Sequence, residues 1–113
     1  MAESVQWRDD WEAARKEAEQ AKRPLVLELY LEGCPHCLRL ARETHPDAKV
    51  AAALNERFIP VRVEGRSHMD LVRQLNVPGA PTTIIFSSEG QELHRFSGFA
   101  PPEEYLTQLL RFG

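Results

Sequence analysis

The sequence predicts an α/β fold in which a central mixed β-sheet of four or five strands carries helices on both faces. Three observations lead there. Leu25 to Leu31 is a run of large apolar residues bounded by Pro24 and Gly33, as suits a buried strand of a parallel sheet. Helix-period stretches alternate with further short apolar runs along the chain. Near the end, Glu89-Gly90 separates two strand-like segments and signals a hairpin.

Taken in order, Asp9 or Asp10 caps a helix with Trp11, Ala14, Ala18 and Ala21 on one stripe, ending before Pro24. Val5 to Trp7 is a candidate edge strand. After the Leu25–Leu31 strand, whose one anomaly is Glu28, a helical pattern starts at Cys34 with Cys37, Leu40, Ala41 and Thr44 inward, until Pro46 interrupts it. Asp47 caps a second helical stretch with Val50, Ala51 and Leu54 inward, and Phe58 to Val63 is the second strand. Ser67 and Asp70 resemble a capping box for a short helix bearing Met69, Val72 and Leu75, broken at Val77-Pro78-Gly79-Ala80-Pro81. Thr82 to Phe86 is the third strand and Gln91 to Phe96 its hairpin partner. Pro101-Pro102 opens a last helix with Tyr105, Leu106, Leu109 and Leu110 inward.

At 113 residues the chain suits one compact domain, 1–113, with an N-terminal segment and helix over 1–22 and a core over 25–112. Fourteen basic residues are scattered among seventeen acidic ones, so the basic stripe that nucleic-acid binding needs is missing. No apolar run approaches the roughly 20 residues of a membrane helix. No leader-like segment precedes Trp7, which predicts a cytoplasmic protein, or a periplasmic one if Met1-Ala2-Glu3-Ser4 replaces a removed leader. Monomer is the default expectation.

The two cysteines stand in one Cys34-Pro35-His36-Cys37 motif, which cannot staple a small secreted fold and is therefore chemical or metal-binding. With the strand ending at Leu31, Cys34 becomes the helix N-cap and Pro35 the first helical residue, where a missing N–H costs nothing. The Cys34 sulfur then faces the free N–H groups of His36 and Cys37 at the positive end of the helix dipole, which favours thiolate. Cys34 is the expected nucleophile, and Cys37, one turn deeper, the expected resolving thiol. An imidazolium at His36 adds a second stabilising charge and shifts the couple toward oxidant.

Two alternatives come from other classes. One is half of a zinc site completed by two of His36, His45, His68 and His94, which are too spread out to supply the second closely spaced ligand pair of structural zinc motifs. The other is a redox-inert interaction module. Haem attachment is excluded because Leu38, not histidine, follows Cys37. Otherwise His45, His68 and His94 read as surface residues, and Trp7 and Trp11 as packing residues.

With this motif between a buried strand and a helix, the chain resembles the thioredoxin superfamily over most of its length. Pro81, in Gly79-Ala80-Pro81-Thr82, matches that family's cis-proline beside the redox pair. Glu28, six residues before Cys34, matches its buried acid. Gly98 matches the glycine that lets a bound peptide approach. The resemblance implies a thioredoxin-like fold and a protein-disulfide oxidoreductase without cofactor or metal. It also implies an upstream redox partner and protein thiol or disulfide substrates, contacted at Gly33, Ala80, Pro81 and Gly98. Glu28 would take the proton from Cys37 as it attacks. Departures are informative: Gly33 stands where thioredoxins proper carry tryptophan, and Pro35-His36 is the dipeptide of DsbA-type disulfide oxidants. Val63 to Pro81 has no room for the helical insertion of those oxidants. The Trp7–Ala21 stretch, with Arg23-Pro24, is similar to small domains related to the C-terminal domain of a periplasmic electron-transfer reductase, which implies reduction instead.

Overall fold

A computed structural model describes residues 4–113; Met1, Ala2 and Glu3 of the predicted N-terminal segment lie outside the described residues. Helix α1 spans Trp11–Ala21 and is capped by Asp10, whose carboxylate accepts the Ala13 N–H at 3.0 Å. Strand β1 (Leu25–Tyr30) follows, then α2 (Pro35–Arg39), which runs directly into one π-helical turn, Leu40–Thr44. Helix α3 (Ala48–Arg57) starts at the predicted cap, Asp47, and β2 covers Ile59–Glu64. A short 3-10 turn (Gly65–His68) leads into α4 (Met69–Gln74), then β3 (Thr82–Phe86), β4 (Glu92–Ser97) and α5 (Pro102–Leu110).

The four strands form one mixed sheet in the order β2-β1-β3-β4. β1 pairs parallel with β2 and antiparallel with β3, and β3 pairs antiparallel with β4. Because side chains alternate across a strand, β1 feeds two cores. Leu25, Leu27 and Leu29 pack with Ala14, Ala18, Ile59, Val61, Ile84 and Leu71 under α1 and α4. Val26 packs on the opposite face with Leu40, Leu54, Phe58, Ile85, Tyr105 and Leu109, under α2, α3 and α5. Each fully buried Leu, Ile, Val or Phe among them contributes about 1.5–3 kcal/mol of transfer free energy. Glu28, two residues from Val26, therefore points into this second core, beneath the cysteine-bearing helix.

Several elements differ from expectation for local reasons. No fifth strand forms over Val5–Trp7; instead Arg8 makes a single parallel bridge to Val61 at the open edge of β2, donating to Pro60 O and accepting from the Arg62 N–H, each at 2.9 Å. Ser67 does not cap α4: its N–H is satisfied by Glu64, whose carboxylate caps the preceding 3-10 turn. Leu71 is the buried residue of α4, and Met69 is exposed. At the helix ends, Ala21 and Leu110 of the predicted inward stripes face solvent. Trp7 and Trp11 are part-buried against the two cores, as packing residues.

Candidate functional site

Gly33, at φ +78°, turns the chain from β1 into α2 in a conformation that disfavours any residue with a Cβ. This places Cys34 in extended backbone as the N-cap of α2, with Pro35 in the first turn. The Cys34 sulfur accepts the Cys37 N–H at 3.3 Å and, as a thiol, donates to Ala80 O at 3.7 Å. Cys34 is part-exposed, whereas Cys37 is buried at 2% exposure and both are free thiols. His36 stands exposed at the second helical position.

The sulfurs differ in chemistry as well as access. The Cys37 thiol is pushed up to about 12, first by burial, then by its hydrogen bond with Cys34 and by the negative charges of Cys34 and Glu28. Cys37 holds its proton at neutral pH.

Facing the pair, Ala80-Pro81 is a cis peptide. Pro81 O accepts the Gly98 N–H at 2.8 Å, and Thr82 Oγ1 donates to Gly79 O at 2.7 Å, which ties the loop to β3 and the end of β4. Gly98 has φ +84°, and open space lies where a Cβ would stand. The fold thus brings Gly33, Cys34, Cys37, Ala80, Pro81 and Gly98 to one end of the sheet, with Pro35 and His36 at the rim.

Glu28 lies deeper, with no solvent exposure, at the centre of a polar cluster. The β1–β2 register sets Arg62 directly opposite it, and Arg62 Nε donates to Glu28 Oε2 at 2.8 Å while its guanidinium stacks on Tyr30 at 3.7 Å. On the other side, His45 Nε2 lies 2.7 Å from Glu28 Oε1. This corrects the surface assignment of His45, which is 5% exposed and wedged edge-on between Trp7 at 4.9 Å and Tyr105 at 5.8 Å. The cause is the π-helical turn. His45 N–H donates to Leu40 O, five residues back, so the helix gains one residue per turn and rotates position 45 by about 100° onto the inward stripe. Arg62 was also missed, because the carboxylate it meets faces it only through the β1–β2 register.

The remaining histidines are spoken for locally. His68 Nδ1 lies 2.8 Å from Glu64 O, and His94 stacks on Phe112 and meets Gln108. Both keep part of their surface exposed, as the surface reading expects, while packing against these neighbours. Among the described residues, no three His, Cys, Asp or Glu side chains gather as a metal site would require.

A sequence profile described as a thioredoxin-like domain matches residues 11–113. The chain belongs to the thioredoxin-like family. This thioredoxin-like chain is 32% identical over 93 residues to the thiol:disulfide interchange protein DsbD of Ralstonia nicotianae, a match covering 79% of the chain and 15% of that protein. It spans about 15 to 17% of the length of the curated relatives it matches. Among solved structures, a thioredoxin from Thermus thermophilus superimposes with TM-score 0.85 at 26% identity, covering 96% of this chain and 86% of that one. The reduced C-terminal domain of DsbD from Neisseria meningitidis superimposes with TM-score 0.77 at 22% identity, over 90% of this chain and 93% of that one, and shows the shared fold. No helix among the described residues is long and apolar enough to cross a membrane.

Proposed function

We propose that this thioredoxin-like chain is a thiol-disulfide oxidoreductase that exchanges a disulfide with protein substrates through Cys34 and Cys37. The observation that carries the reading is the asymmetry of the pair. Cys34 is accessible, and negative charge developing on its sulfur meets the free N–H groups at the start of α2. Cys37 is a buried thiol one turn deeper, within hydrogen-bond reach of the same sulfur. An exposed thiolate attacks a substrate disulfide, and the sheltered thiol resolves the mixed disulfide so formed. The names of the curated relatives, thiol:disulfide interchange proteins, support the same chemistry.

The substrate is a protein or peptide strand. Ala80 O meets the Cys34 sulfur, Gly98 is tied to the adjoining Pro81 and leaves room for a close backbone approach, and Leu38, 51% exposed, offers an apolar contact on the same helix. Pro35 and Gly33 shape this rim. The chain acts in this reading as a monomer presenting one site, which an upstream dithiol or disulfide partner also reaches. The Pro35-His36 pair, matching DsbA-type oxidants, raises the potential of the couple relative to an uncharged dipeptide, because an imidazolium stabilises the reduced form.

Insulin reduction by the dithiothreitol-coupled protein tests the proposal. The native chain is expected to precipitate insulin chains well ahead of background and Cys34→Ser to fall to background; equal activity in the two would overturn it.

A further inference from the structure

The polar cluster beneath α2 holds a group that dithiol exchange by itself does not require. Glu28 is fully buried and flanked by Arg62 of β2 and His45 after the π-helical turn, so it has no direct route to water. Its charge reaches the Cys37 sulfur, which must lose a proton to act. Glu28 Oε1 and His45 Nε2 are both buried and lie 2.7 Å apart without the alignment of a hydrogen bond, and neither has another partner, so a small rotation of the ring sets them in line for one proton to pass between them. The rest of the His45 ring opens outward, keeping 6% of its side chain exposed in a groove of about 380 Å³ lined by Val5, Trp7, Ala41, Pro46 and Arg62. Neither cysteine lines that groove, nor do Ala80, Pro81 and Gly98. Of the other titratable groups around His45, the Tyr105 phenol is held well above its ordinary value by burial and by the Glu28 charge, and the Arg62 guanidinium is engaged with the other Glu28 oxygen.

We propose that His45 is a positioning residue that relays protons between solvent and Glu28, giving the proton of Cys37 an exit through the groove behind the active-site helix. The proposal rests on the exchange reading above. In the resolving step the Cys37–Cys34 disulfide bond forms and the bond from Cys34 to the substrate sulfur breaks. The substrate leaves as thiolate with the electron pair and takes a proton from water. The Cys37 proton passes to Glu28, from Glu28 Oε1 to His45 Nε2, and from the outer ring nitrogen to water in the groove. When the enzyme disulfide is reduced, the same path runs inward.

The test follows the reduced full chain reacting with an aromatic disulfide that releases one coloured thiolate at each step. The first release reports attack by Cys34, the second resolution by Cys37. In His45→Phe, which preserves packing against Trp7 and Tyr105, the first phase is expected to stay unchanged while the second slows about tenfold at neutral pH and loses much of its pH dependence. This is less than the 10²–10⁴-fold of a direct acid–base group because Glu28 remains. In His45→Ala the second phase slows likewise, and added imidazole, entering the groove, restores it. A second phase unchanged in His45→Phe overturns the relay while leaving the exchange reading intact, as does equal slowing of both phases or slowing that imidazole does not correct. A native chain that releases no thiolate overturns the exchange reading itself.

Discussion

Cys37 keeps its proton because burial, the bond to Cys34 and two nearby negative charges all disfavour its anion. The thiol is raised from an ordinary 9.0 to about 12, so above pH 9 the unfolded chain sheds this proton while the folded one retains it. Folding stability of the reduced protein therefore declines as pH rises from about 9 toward 12, and it is fully present below 9. The disulfide form has no thiol to titrate, so urea melts of the two forms at pH 8 and pH 10 should show the reduced form losing more; equal losses would contradict the assignment. On the rim, His36→Pro removes the imidazole beside Cys34 and is expected to make the couple more reducing in equilibrium with glutathione, an unchanged equilibrium being the contrary result. These two sites were legible because their spacing on a strand-to-helix junction carries the chemistry. His45 was not legible, because its inward position depends on a π-helical turn that periodicity at 3.6 residues does not contain.

At the level of elements, the helix caps and the strands that build the site could be read from local residue types. Asp10 and Asp47 cap α1 and α3, and β3 has the predicted bounds. Replacing Asp10 with alanine leaves the Ala13 N–H without its acceptor, and should cost about 1 kcal/mol in urea denaturation while leaving insulin reduction unchanged, since α1 lies on the face of the sheet opposite α2. The misread elements are those whose ends are set by partners that compete with the cap signal read from sequence. Glu64 reaches Ser67 and also the Glu32 N–H across the β1–α2 connection, overriding the local capping signal at Ser67. Among the described residues, the N-terminal segment bridges β2 at Arg8, while Trp7 packs on His45 and the second core. Thr44 shows a similar long-range tie, donating to Ala100 O at 2.6 Å and fixing the π-helical turn against the start of α5.

Taken whole, the molecule is one sheet shared by two cores, and β1 is the strand on which both depend. Leu27, fully buried on the α1 face, is expected to cost about 2–5 kcal/mol when replaced by alanine, read as a lower urea midpoint, with exchange activity retained in the fraction still folded. The order of elements and the mixed sheet were legible because each apolar run matches a period, whereas the pairing that sets Arg62 against Glu28 exists only once β1 and β2 align. The central claim is that Cys34 attacks and Cys37 resolves, and covalent trapping reads it directly. Mixed with an oxidised disulfide peptide, Cys37→Ser should accumulate a peptide adduct on Cys34, resolved by mass spectrometry, while Cys34→Ser accumulates none. An adduct on Cys37 in Cys34→Ser, or none in either variant, would contradict the assigned roles.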